Sequence, residues 1–296
     1  MRMAPHTSER TGVQKRMKTR KSTKQAARSA FPMFGVPGER TMRKPRKSGL
    51  TMIVDWGVPA GQQKDLLAMS GDYLDLAKIA VVSVRVYAEA QLKRKIRIYK
   101  DHGVRCFIGG GAAERLYALD GPSALPAYFR EARRVGFDIV EISDNYVALD
   151  RDERMRQIEL ARKHGLAVYG EIGSKHSRNE AADLIAQARD CFDAGSELVI
   201  VEAAEMFDSG KPKRDLIDSL RAGIDARRTM FELIGPWISG VSSSAVQDLK
   251  KLLIREFGPD VNLGNIMPED LFETEMSRQG FGVVQPTKLR WRGRNG

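Results

Sequence analysis

Cysteine and histidine are scarce: two of one and four of the other, and neither clusters at metal-ligand spacing. That excludes the common structural zinc sites. Cys106 falls in a predicted strand and Cys191 in a predicted helix, so both read as buried reduced thiols suited to a cytoplasmic compartment. No run approaches the roughly 18 apolar residues of a membrane span, so no membrane partner is expected. The N-terminus lacks the apolar core of a secretory signal. The turn after the first predicted strand, Asp55-Trp56-Gly57-Val58-Pro59, lacks the glycine fingerprint of a dinucleotide site.

A basic body is also missing, although the net charge is +11. Residues 1–50 carry +12, from 14 Lys/Arg against Glu9 and Glu39, and the rest of the chain carries −1. Residues 1–47 are therefore expected to be a disordered basic tail, unable to offset its ordering entropy by burial. Residues 283–296, with Lys288, Arg290, Arg292 and Arg294, form a second basic tail. An N-terminal tail of this composition suits an extension or an over-long gene start better than a transit segment. Contact with nucleic acid or an acidic membrane is not expected beyond this tail.

What is present between the tails is a regular alternation. Phe137–His176 holds a complete strand–helix–strand unit, with strands at Asp138–Ile142 and Leu166–Tyr169 and a helix starting near Asp150 and closed by Gly165. Further strands are expected at Thr51–Asp55, Tyr73–Ile79, Val104–Ile108, Glu197–Val201, Arg228–Leu233 and Val261–Ile266, each followed by a helical pattern or a turn. Eight strand–helix pairs in roughly 230 residues predict a single (β/α)8 TIM barrel over 48–282.

In such a barrel the strands deliver their chemistry at the carboxyl edge. Glu141, Glu171, Glu202, Glu232 and Asp55 lie at strand exits, with Lys78 and Lys175 among them. Carboxylates are hard oxygen donors suited to Mg²⁺, which makes Glu141, Glu171, Glu202 and Asp55 the expected metal set. A lysine beside them would form a Schiff base with a carbonyl, or move a proton next to a metal-bound carboxylate. Gly109 and Gly110 permit close approach of backbone to ligand. Ser242 and Ser243 at a helix start form an anion cradle or a plain N-cap. With Asn265 they complete the expected anion-binding set. For each single carboxylate, salt-bridging around the mouth is an equal alternative.

The chain resembles the phosphosulfolactate synthase family, which includes the plant heat-stress-associated proteins. The resemblance runs from about Gly49 to Gly282. It rests on Gly49-Leu50-Thr51 with Asp55 and Gly57, Gly71-Asp72-Tyr73 with Asp75 through Lys78, and Gly109-Gly110 with Glu114. Val140 to Asp144, Glu171-Ile172-Gly173 with Lys175, Val199–Glu202, Phe231-Glu232 and Val261-Asn262-Leu263 complete it.

The resemblance implies Mg²⁺-dependent addition of sulfite to phosphoenolpyruvate, a step toward coenzyme M in methanogens. It implies Lys175 as proton donor; beside it we assign Glu141, Glu171 and Glu202 as metal ligands or their support, and Lys78 as anion clamp. Three stretches depart from the methanogen pattern, one of them the segment after the seventh strand. Ile79 to Ser83 stands where that pattern is glycine-rich, and Ala203-Ala204 stands where it has Gly-Arg, so weaker use of sulfite is expected. The alternatives are a Schiff-base aldolase on the same barrel and a non-catalytic stress or interaction barrel. The oligomeric state is left open, a homo-oligomer included.

Overall fold

The computed structural model describes residues 30–35, 40–173, 180–208 and 211–282. It divides into two units, Met1–Gly35 and Val36–Gly296. In the first, the described residues form a turn in which the Phe34 N–H donates to the Phe31 carbonyl at 3.2 Å. The second holds a closed barrel of eight parallel strands. In chain order these are β1 (Thr51–Asp55), β2 (Leu76–Ile79), β3 (Arg105–Ile108), β4 (Ile139–Ile142), β5 (Ala167–Ile172), β6 (Leu198–Glu202), β7 (Thr229–Glu232) and β8 (Asn262–Ile266). β1 pairs with β8 as well as with β2, which closes the ring.

The helices around it are α1 (Ala60–Ser70), α2 (Glu89–Asp101), α3 (Gly111–Asp120), α4 (Leu125–Val135), α5 (Arg151–Lys163), α6 (Ala181–Asp193), α7 (Arg214–Gly223), α8 (Ser243–Phe257) and α9 (Leu271–Arg278). The expected fold is the observed one. Sequence signals for the helix ends have visible counterparts in the structure. Asp150 caps α5 by accepting from the Glu153 N–H at 2.8 Å, and Gly136, with φ 113°, ends α4 in a left-handed conformation.

Side chains alternate across each strand, and two apolar cores result. Ile53, Ala77, Cys106, Val140, Val168, Val199 and Phe231 face the helices. Met52, Leu76, Phe107, Ile139, Tyr169, Leu198, Ile200 and Met230 fill the barrel itself. The rings of Phe107 and Tyr169, from alternate strands, meet edge-on at 5.2 Å between centroids. Burying one such large side chain contributes about 1.5–3 kcal/mol.

Residues 40–47, placed in the tail by composition, pack against the amino end of the barrel. Arg40 is buried, with its guanidinium 2.7 Å from Glu275 and 3.1 Å from Asp260. Arg46 pairs with Asp75 at 3.0 Å, and the Lys44 ammonium donates to the carbonyls of Gly71 and Leu74 at 3.0 and 2.5 Å. The strap therefore begins at or before Arg40. Composition misses this because charged side chains bind here through specific partners rather than through apolar area. Arg278, buried beside it, donates to the carbonyls of Val261 at 2.6 Å and Leu50 at 3.1 Å.

Candidate active site

Period-two alternation, continued one step beyond the apolar filling of the barrel, places five charged side chains at its mouth. Lys78 follows Leu76, Glu141 follows Ile139, Glu171 follows Tyr169, Glu202 follows Ile200 and Glu232 follows Met230. All five line one cavity of about 80 Å³, together with Gly109, Gly110, Asn145, Tyr146, Trp56, Trp237 and Asn265. Register brings two of them side by side: Glu202 and Glu232 are direct partners across β6 and β7.

Carboxylate oxygens of Glu171, Glu202 and Glu232 lie within 4.8 Å of one another. The Lys78 ammonium sits 2.5 Å from Glu232 Oε1 and 3.0 Å from Glu141 Oε2. The contact to Glu141 is an ion pair without hydrogen-bond alignment, since Oε2 has no directed donor. The other oxygen, Oε1, accepts from the Gly110 N–H at 2.7 Å. Glu171 accepts from the Asn145 amide at 2.8 Å, and Glu232 Oε2 from the Asn265 amide at 2.9 Å.

The electrostatics follow from burial and crowding. Burial raises the Glu171 carboxyl well above the usual range, and the charges of Glu141 and Glu232 push it further against the pull of Lys78. Glu232 rises to about 7, mainly through burial, with Lys78 opposing and Glu141 and Glu202 adding. Burial alone would lower Lys78, yet the charges of Glu141, Glu232 and Glu171 outweigh it and hold the ammonium well above its ordinary value. Lys78 is thus a fixed cation, unsuited to act as a neutral amine. The crowded carboxylates are hard oxygen donors of the kind that could hold a small multivalent cation such as Mg²⁺.

Among the residues expected from the sequence, Lys78, Glu141, Glu171, Glu202, Gly109, Gly110 and Asn265 come together. Lys175 lies outside the described residues. Asp55 is not brought to the site. Its Oδ1 accepts from the N–H groups of Gly57 and Val58 at 2.8 Å, and its Oδ2 from Lys95 Nζ and the Tyr99 hydroxyl at 2.6 Å. Val54 lines the mouth, so Asp55, the next residue, points to the helix layer and anchors α2. Ser242 serves as the N-cap of α8, accepting from the Ala245 N–H at 3.2 Å. With Ser243 and Asn265 it lines a neighbouring cavity of about 310 Å³.

Glu232 belongs to the carboxylate cluster in place of Asp55, and the parity of its strand is the signal that marks it. Gly110 is required where it stands. A Cβ there would lie 2.0 Å from Ser143 Oγ and 3.0 Å from Glu141 Oε1. Glu114, buried beside the mouth, accepts from Ser143 and from the Tyr146 N–H at 2.6 Å, which holds the β4–α5 loop and Asn145 over the cavity.

Comparison with known proteins gives a consistent answer. The family model for (2R)-phospho-3-sulfolactate synthase (ComA) matches residues 39–282, strap included. The chain is 31% identical over 249 residues to the phosphosulfolactate synthase of Methanothermobacter thermautotrophicus, covering 80% of this chain and 91% of that one. Against the phosphosulfolactate synthase of Methanocaldococcus jannaschii the identity is 30% over 244 residues, 79% of this chain and 92% of that one. The Arabidopsis thaliana protein HEAT-STRESS-ASSOCIATED 32 is 23% identical over 248 residues, 74% of this chain and 82% of that one.

Proposed function

Since the chain belongs to the (2R)-phospho-3-sulfolactate synthase family, we propose that it is a Mg²⁺-dependent lyase acting on phosphoenolpyruvate or a related small anionic carboxylate at the barrel mouth. The observation that carries this is the convergence of Glu171, Glu202 and Glu232 within 4.8 Å, deep enough that two of the three carboxyls are driven upward. These three would hold the ion, with Glu141 supporting. Bound there, Mg²⁺ would offset the negative charge of the substrate and the charge that develops on it during addition.

The chain's own residues then divide the work. Lys78, locked between Glu141 and Glu232, presents a permanent positive charge to a substrate carboxylate. Glu114 and Asn145 hold the β4–α5 loop in place over the cavity. The start of α8 offers a phosphate the positive end of a 15-residue helix, next to Asn265. In the addition, the sulfite sulfur forms a bond to the methylene carbon, the double-bond electrons move to the carbon bearing the phosphate, and that carbon takes a proton. Lys175, on the family resemblance, is the donor.

Ala204 follows Glu202 closely and is exposed, and it offers no charge to sulfite. A charge-assisted arginine contact typically contributes about 1.5–3 kcal/mol, so slow turnover with sulfite is expected and Ala204→Arg should raise it. The test is product formation from phosphoenolpyruvate and sulfite, followed by phosphorus NMR in Mg²⁺ and in EDTA. Product in Mg²⁺ alone supports the assignment. Equal rates in both, or Mg²⁺-independent binding of phosphoenolpyruvate, would overturn it.

A further inference from the structure

Beside the mouth lies a second, larger space. A groove of about 370 Å³, lined among others by Val81, Val82, Gly111, Arg115, Leu119 and Tyr146, is mostly apolar. It runs between the β2–α2 segment, α3 and the β4–α5 loop. Val81, Gly111 and Tyr146 line both spaces, so the groove shares a wall with the mouth. Leu119 and Tyr146 leave about two-thirds of their surface in solvent, at 68% and 69%. Apolar side chains are thus presented beside an acidic cavity whose own volume is only about 80 Å³.

Two further observations say what fits. Val81 stands at the boundary with φ 43°, a left-handed conformation that is strained for a branched residue. Its branched side chain is thereby held at the boundary between the two spaces. Arg115, at the groove wall on α3, is exposed and makes no hydrogen bond or ion pair among the described residues. An apolar groove that borders the carboxylate site and reaches an unpaired guanidinium is complementary to an apolar arm ending in an acid.

We propose that this groove is an annex of the active site, taking the apolar arm of a substrate longer than phosphoenolpyruvate, with Arg115 meeting a terminal acid group on that arm. This rests on the assignment of the mouth as a Mg²⁺-dependent carboxylate site. The residues that set chain-length specificity are then Val82, Leu119 and Arg115, none of which takes part in the carboxylate cluster.

The test uses the full chain with a series of 2-oxo acids: pyruvate, 2-oxobutyrate, 2-oxohexanoate and 2-oxoadipate. Binding is measured by calorimetry in Mg²⁺ and in EDTA, and by displacement of the dye 8-anilinonaphthalene-1-sulfonate, an apolar body with an anionic end. Affinity in Mg²⁺ should rise about two- to fourfold per methylene, the gain expected from burying each one. Leu119→Glu, a change at an exposed position, should abolish that gain and dye binding while leaving pyruvate unchanged. Arg115→Gln should weaken 2-oxoadipate and the dye and spare 2-oxohexanoate.

The failures are distinguishable. Mg²⁺-dependent binding of pyruvate with affinities flat along the series would overturn the annex and leave the mouth as assigned. Long acids that displace the dye equally in EDTA, with pyruvate unbound, would overturn both. Dye released by raising protein concentration, and by no 2-oxo acid, would give the groove to a second copy of the chain and overturn the annex. Dye binding indifferent to Leu119→Glu would do the same.

Discussion

Lys78 and Glu232 are 154 residues apart in the chain and their charged atoms are 2.5 Å apart in the barrel mouth. The pair joins β2 to β7 across the barrel interior, and Lys78 meets Glu141 from its other side. One ammonium thus compensates a group of carboxylates that would otherwise repel one another.

Replacing Lys78 by methionine keeps most of the volume and removes the charge. Breaking a buried pair in this way typically costs about 3–5 kcal/mol. The melting temperature in EDTA should fall, more at pH 8 than at pH 6, because at the lower pH the carboxylates can neutralise by taking up protons. Titration with Mg²⁺ should restore part of the loss. An unchanged melting temperature in EDTA at pH 8 would show that the pair contributes nothing to stability.

The raised carboxyls make a second prediction, with a definite sign. Glu232, near 7 in the folded protein, and Glu171, also well above its ordinary value, bind protons that the unfolded chain has already released. Stability without divalent ions should therefore decrease as pH rises from about 5 through 7, by at most about 1.4 kcal/mol per pH unit for each group. Carboxyls held below their ordinary range, such as Glu89 at about 2, act with the opposite sign and only at lower pH. Chemical denaturation at pH 5.5, 6.5 and 7.5 checks this, and Glu232→Gln should flatten the slope.

Asp55 and Glu232 separate structure from metal chemistry. Glu232→Gln should weaken Mg²⁺ binding at least about tenfold, an effect that even ligand-supporting residues commonly reach, and should leave the fold intact. Asp55→Asn should leave Mg²⁺ affinity near the original value and lower stability instead, since buried Lys95 loses its only carboxylate partner among the described residues. Calorimetric metal titration beside thermal melts distinguishes the two. Equal loss of Mg²⁺ affinity in both variants would return Asp55 to the metal set.

The strap yields a fourth expectation. A chain starting at Val36 should melt with the full-length protein, whereas one starting at Lys47 loses Arg40 and Arg46 and leaves Glu275 and Asp75 buried without them. A loss on the order of 3–5 kcal/mol is expected, at roughly 2–4 °C per kcal/mol for a domain of this size. Arg40→Ala alone should reproduce much of it. Identical melting of both shortened chains would mean the strap is decoration.

Most of the barrel is legible in the sequence because its strands are short apolar runs between helical patterns, and period decides both. β1 is expected at Thr51–Asp55 and is found there. β5 is expected to end at Tyr169 and continues to Ile172, because Gly170 reads as a turn former. Inside the strand that glycine serves packing instead. A Cβ would lie 2.8 Å from Cys191 Sγ, so its absence lets α6 approach closely. The carboxylates are legible as a group, but which of them meet depends on the face each strand presents. Asp55 and Val54 differ by a single step, and that step separates an anchor for Lys95 from a place at the mouth. The rim formed by Trp56, Trp237 and Tyr146 gives no comparable signal, since exposed aromatics from three distant loops carry no common spacing.

The pairing of Arg40 with Glu275, 235 positions further along, has a consequence for the protein as it is made. The strap leaves the ribosome long before its acceptor. At roughly 5–20 residues per second, Arg40 waits on the order of 10–50 s before its partner exists, with β1 also lacking β8 on one side. For that interval the nascent chain presents an open sheet edge and an Arg40 without Glu275 to whatever surrounds it. The ring closes once β8 emerges and the strap is answered only once α9 does, so translation that stops short of Asn262 releases a barrel with neither its seam nor its strap.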